Sequence, residues 1–140
     1  MDRMIFVNLP IADVRKSRTF FTGLGFEFNQ QFCDDKALCM RINDRAFAML
    51  VRRDFFATFT PRPVADAGAV TETLLCLSAD DRAGVDALVA GALACGGREP
   101  RRAVDRGFVY GRTFSDLDGH IWEVLWTDPA VAAGGAAAGA

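Results

Sequence analysis

The chain repeats itself. An apolar segment, Ile5 to Leu9, runs into Asp13, then a helix-like stretch, then Gly25 and Phe26. Leu74 to Leu77 runs into Asp81, a second helix-like stretch, then Gly96 and Gly97. Asp13 and Asp81 are 68 residues apart, and Gly25 and Gly96 are 71 apart. Self-similarity of this length means two copies of one supersecondary unit, and it restricts the fold more than any composition figure does. Two curved modules set side by side would leave a cleft, so function is sought in the residues that face it. At 140 residues the chain fits a single domain with a real core.

Local signals give each module the order β-α-β-β-β. Asp13 is a suitable helix N-cap, because a short carboxylate accepts from exposed backbone amides at the positive end of the helix dipole. Val14, Phe20, Phe21 and Leu24 follow near helical spacing, and Gly25 supplies a left-handed stop. Strands are expected over Phe26–Phe32, Ala37–Ile42 and Ala46–Val51, with turns at Asp34-Asp35 and Asn43-Asp44-Arg45. The second copy opens with Glu72–Ser78, and Asp80 or Asp81 caps a helix whose apolar stripe is Val85, Leu88, Val89, Ala92 and Leu93. Val104, Phe108 and Val109 belong to the next strands, one of which continues over Tyr110–Phe114. A tight turn at Asp116-Leu117-Asp118-Gly119 precedes the closing strand, Ile121–Trp126. The expected organisation is one domain over 1–128: module one at 4–52, a connector at 53–70 and module two at 71–128. An Ala/Gly-rich tail, 129–140, carries no site. In the connector, Pro61-Arg62-Pro63 excludes regular helix, and Phe55, Phe56 and Phe59 read equally well as a cleft wall or as packing on a sheet edge.

Charge and cysteine content exclude several classes. A net charge of −2, with arginines interleaved among acids, leaves no electrostatic footprint for nucleic acid. No stretch is long and apolar enough to span a bilayer, and no basic segment precedes a long apolar run at the N-terminus. Cys33, Cys39, Cys76 and Cys95 form no Cys-x-x-Cys pair, which suggests reduced thiols and a cytoplasmic protein.

Three segments resemble the vicinal oxygen chelate superfamily, which includes glyoxalase I, bleomycin-resistance proteins and extradiol dioxygenases. They are Phe6-Val7-Asn8-Leu9-Pro10-Ile11-Ala12-Asp13 with Ser17, Phe20-Phe21 and Leu24-Gly25-Phe26; Leu75-Cys76-Leu77-Ser78; and Phe114-Ser115-Asp116-Leu117-Asp118-Gly119-His120-Ile121-Trp122-Glu123-Val124. The opening and closing segments look most like the predicted lactoylglutathione lyase group. The resemblance implies an α+β fold in which two β-α-β-β-β modules form an eight-stranded, curved mixed sheet with a cleft, and it implies a homodimer.

Metal-dependent members of that superfamily hold one divalent ion with four ligands. By resemblance the four positions here are Phe6, Met49, Leu74 and Glu123. Only Glu123 is a competent donor; a phenyl or isobutyl group cannot bind the ion, and a thioether suits borderline divalent metals poorly. A one-residue slip brings in Val7 or Ala48, and a shift of two brings in Asn8 and Cys76, neither a workable set. No cofactor and no divalent metal are expected. The apolar replacements resemble the bleomycin-resistance branch and suggest a metal-free protein holding an apolar or aromatic small molecule. Phe6, Met49 and Leu74 filling the cleft with no ligand is the plainer alternative.

Glu123 in an apolar cleft would be desolvated, which favours its neutral form and suits a general acid or base. A glyoxalase-like lyase or isomerase, using Glu123 as base or as ligand of a rearranged metal site, is therefore the alternative function. Equally, Glu123 could pair with Arg112 or Arg41. Tyr110 and Arg112 share one strand face, as do Cys39 and Arg41, and period-two alternation does not say which face looks into the cleft. The expected ligand-lining set is Phe6, Asn8, Met49, Leu74, Cys76, Tyr110 and Arg112. Cys76 reads as an inert thiol, and His120 as a turn residue.

Overall fold

A computed structural model describes residues 2–132. The tail expected over 129–140 falls outside the described residues from 133 onward. Both modules follow the expected order. The first comprises β1 (Ile5–Ile11), α1 (Val14–Gly23), β2 (Glu27–Phe28), β3 (Ala37–Arg41) and β4 (Ala46–Arg52). After a one-turn helix, α2 (Arg53–Phe56), the second comprises β5 (Leu74–Ser78), α3 (Arg82–Ala94), β6 (Val104–Asp105), β7 (Val109–Ser115) and β8 (Ile121–Thr127); a short α4 (Pro129–Ala132) follows. The chain divides into two compact units between Asp66 and Ala67.

The eight strands pair as two four-stranded mixed sheets, one per unit, ordered β1-β4-β3-β2 and β5-β8-β7-β6. In each, the first strand runs parallel to the last, and the rest pair antiparallel. The shared strand order is the duplication seen in the sequence, now expressed as hydrogen bonding.

The helix ends explain why the repeat was legible. The Asp13 carboxylate accepts from the Lys16 amide at 3.0 Å, and Asp81 accepts from the Gly84 amide at 2.6 Å. Each satisfies one of the amides a helix start leaves unpaired. At the other end, Phe26 N–H donates to Phe21 O and Gly97 N–H to Ala92 O, closing the same terminal loop in both modules. That loop needs a left-handed residue, supplied by Gly25 (φ 95°) and Gly96 (φ 101°).

One face of each sheet is covered by its helix. In the first unit α1 buries Ser17, Phe20 and Phe21, and the sheet answers with Leu9, Ile11, Leu38, Met40, Ala48 and Leu50. In the second, α3 buries Val85, Val89 and Ala92, and the sheet brings Phe114, Trp122 and Val124. Trp122 Nε1 donates to the buried Asp116 carboxylate at 3.0 Å, and the other carboxylate oxygen accepts from the Asp118 and His120 amides. This network fixes the turn before β8. Gly119 is required there: a Cβ would come within 2.7 Å of the Gly68 backbone.

Several boundaries differ from expectation. The strand expected over Phe26–Phe32 pairs only at Glu27–Phe28, because Gln30–Phe32 forms a 3-10 turn with the Asn29 side chain accepting from the Gln31 amide. Phe108 lies outside the strands and is exposed. The connector begins with helical turns, Arg53–Phe59, which end before Pro61, where proline first forbids them.

Candidate functional site

The helix-free face of each sheet holds six of the residues the sequence singled out: Phe6, Asn8, Met49, Leu74, Cys76 and Glu123. Cross-strand partners share a face, so register assigns them. In the first unit Phe6 pairs with Phe47, Asn8 with Met49, and Met49 with Cys39 across β4–β3. These are the positions α1 does not cover. Phe6 stacks on Phe47 with ring centroids 5.1 Å apart and planes 12° apart, and Phe6 remains 48% exposed. Arg41, on the same face, forms its ion pair with Asp44 at 2.6 Å.

In the second unit the matching pairs are Leu74 with Ile121, Cys76 with Glu123, and Thr113 with Glu123. The two registers superpose: Phe6 corresponds to Leu74, Asn8 to Cys76, Met49 to Glu123, and Cys39 to Thr113. Leu74 is 51% exposed, whereas the Glu123 side chain is 18% exposed. The Glu123 carboxylate faces Arg101 at 3.6 Å. Neither Arg112 nor Arg41, the partners considered from sequence, forms this ion pair. Burial, and then the neighbouring Glu123 carboxylate, push the Cys76 thiol up, so Cys76 stays protonated near neutrality and is a poor nucleophile.

Two expected lining residues belong elsewhere. Tyr110 and Arg112 lie on the opposite face of β7 from Thr113 and Glu123, in register with Trp126 and Val124. There they meet α3. The Tyr110 hydroxyl donates to Asp86 at 2.5 Å, and Arg112 donates to Asp86 at 2.9 Å and, through two nitrogens, to Glu99 at 2.9 and 2.8 Å. Arg82 sits over the Tyr110 ring at 4.4 Å and pairs with Asp105. Hydrogen bonds from Tyr110 and Arg112 hold the Asp86 carboxyl below its usual range, and Arg112 does the same for Glu99. Asp86 thus links α3 to the sheet and Glu99 links the loop after α3 to it, and the reason is parity: residues 110 and 112 share a face with 114, not with 113.

The positions equivalent to a four-ligand metal site carry phenyl, thioether, isobutyl and one carboxylate. That donor set does not fit a divalent ion. Among the described residues no three His, Cys, Asp or Glu side chains cluster to hold a metal ion, and no helix is long and apolar enough to cross a membrane.

Phe47 and Thr113 on these faces were not singled out from the sequence, and Arg101, in a nearby loop, was read with Arg102 only as solvated surface. Phe47 and Thr113 had a readable signal. Thr113 precedes Glu123 by the ten residues that separate Cys39 from Met49, and Phe47 lies two before Met49, on the same face. Arg101 had none, since it lies in a loop outside the ladder.

Comparison with known proteins places this geometry. Residues 3–43 match the model of the bleomycin resistance protein-like N-terminal family. A hypothetical protein from S. aureus is similar at 26% identity with a TM-score of 0.77, over 90% of this chain and 95% of that one. A glyoxalase-related enzyme from Fulvimarina pelagi is similar at 19% identity and a TM-score of 0.77, over 91% of this chain and 89% of the other. The fosfomycin resistance protein FosX from Mesorhizobium loti shares 12% identity at a TM-score of 0.68, over 95% and 98%. No curated protein matches the sequence. The fold is that of the glyoxalase/bleomycin-resistance proteins, as the vicinal oxygen chelate resemblance implied.

Proposed function

We propose that this chain, of the glyoxalase/bleomycin-resistance type, is a metal-free protein that binds an apolar or aromatic small molecule against its helix-free sheet faces. The observation that carries the reading is the side-chain chemistry at the four register-equivalent positions, which are Phe6 and Met49 in the first unit and Leu74 and Glu123 in the second. Phe6 and Leu74 are large apolar groups left about half exposed. Phe6 offers an open ring face because Phe47 stacks on the other side. Met49 adds a deformable surface suited to an irregular ligand. The protein acts in the cytoplasm as a homodimer with its cysteines reduced.

A thermal-shift screen of planar aromatic compounds tests this reading. At a hundredfold excess over Kd a ligand adds about 2.7 kcal/mol, a rise of several degrees in Tm. Phe6→Ala should abolish the rise. No shift from any compound, or a stoichiometric Ni, Zn, Mn or Fe ion lost on Glu123→Ala, overturns it.

One observation favours a second reading, a lyase or isomerase. The Arg101–Glu123 separation is beyond hydrogen-bond reach, which leaves carboxylate lone pairs for a substrate proton. Turnover of hemithioacetals by the metal-stripped protein, lost in Glu123→Gln, would establish it.

A further inference from the structure

Beneath Glu123 the second unit contains a niche that the reading above does not use. It is a cavity of about 10 Å³ whose lining includes Arg101, Arg102, Thr113 and Glu123, together with residues 111, 112, 124 and 125 of β7 and β8. That volume is about the room one water molecule needs. Thr113 is 3% exposed, and its hydroxyl has no hydrogen-bond partner among the described residues. Thr113 and Glu123 are register partners, so both side chains rise from the same face. Arg101 and Glu123 both line it and stand 3.6 Å apart, longer than a direct hydrogen bond, so an oxygen beside the pair could contact both.

We infer that this niche takes a single hydroxyl-sized group. The chemistry on its walls selects one. Glu123 can only accept, Arg101 can only donate, and Thr113 can do either. An O–H oxygen satisfies all three, donating to the carboxylate and accepting from the guanidinium. A methyl group of the same size satisfies none and leaves Thr113 orphaned. Water fills the niche in the free protein. If the proposed binding function holds, on which this second step rests, a hydroxyl on an otherwise apolar ligand displaces that water, and the protein prefers hydroxylated aromatic compounds to their plain parents.

Two measurements decide the matter. Thr113→Val keeps the shape and removes the hydroxyl. If the hydroxyl is bonded within the niche, the variant melts at the wild-type temperature or below. A rise of about 3 °C or more means that a truly unpaired hydroxyl was removed, and overturns the niche. Thr113→Ser, which keeps the hydroxyl, controls for packing and should bind like wild type. The second measurement is calorimetric titration with 2-naphthol and naphthalene. Wild type should favour the naphthol by about fivefold to tenfold, and Thr113→Val should lose that preference. A preference that survives in Thr113→Val overturns the ligand step. Failure of both compounds to bind wild type counts against the small-molecule reading, and the melting experiment alone then decides the niche.

Discussion

In the first unit the helix carries the bulk, Phe20 and Phe21, against aliphatic side chains such as Leu38, Ala48 and Leu50. In the second the assignment is reversed. There α3 offers Val85, Val89 and Ala92, and the sheet supplies Phe114 and Trp122, stacked nearly parallel at 6.2 Å. Strand order, caps and helix stops are the same in both. The difference teaches that the layer must be filled to a fixed density, while either side may provide the volume. The opposite faces differ in a second way. Positions occupied by Met49 and Cys39 in one unit are Glu123 and Thr113 in the other, so a single scaffold presents one soft apolar face and one face with a polar spot.

The largest expected effect tests the reversed packing. Phe20→Ala and Trp122→Ala should each cost about 3–5 kcal/mol in urea denaturation, because both side chains are fully buried. If the division of volume is truly reciprocal, shrinking the other layer should be milder: Val85→Ala should cost visibly less than Phe20→Ala. Equal losses from these two helix positions would break the comparison.

A smaller effect concerns the polar links, which tie helix to sheet in the second unit through Arg112. Arg112→Met should cost about 1–2 kcal/mol at pH 7, after allowance for the partial exposure of its partners. The sign with pH follows from the carboxylates. Asp86 and Glu99 are held below their usual range in the folded protein, so their stabilisation is complete above the unfolded-state values. It fades as pH falls through the folded ones. The gap between variant and wild type should therefore shrink below about pH 4. A gap that is constant from pH 7 to pH 3 would assign the loss to packing of the Arg112 stem.

The smallest effect should be the same in both units. Asp13→Ala and Asp81→Ala each remove one N-cap acceptor, and each should lower stability by about 1 kcal/mol. Guanidinium melts of the two variants, side by side, check whether the copied cap does equal work in both copies.

Much of the fold was legible because its signals are local. Caps at Asp13 and Asp81, and the left-handed glycines after each helix, act within one turn of chain and so leave a mark in the sequence. Phe26–Phe32 misled because an alternating pattern does not reveal where a partner strand ends; only Glu27 and Phe28 find one. For the candidate site, the repeat located Phe6, Asn8, Met49, Leu74, Cys76 and Glu123 in the sequence, and the register puts all six on the helix-free faces. Tyr110 and Arg112 lie on the other face of β7, which alternation alone could not assign before α3 supplied Asp86.

What the sequence determined by itself was the duplicated scaffold, a matter of residue type and spacing; the four ligand-equivalent positions, of which only Glu123 carries a donor, were what the superfamily resemblance implied. The tertiary structure decided which way each strand faces and what stands beside Glu123. A strand has two equivalent sides until a helix covers one, and Arg101 reaches the carboxylate only because a loop 22 residues away in the chain folds back on it.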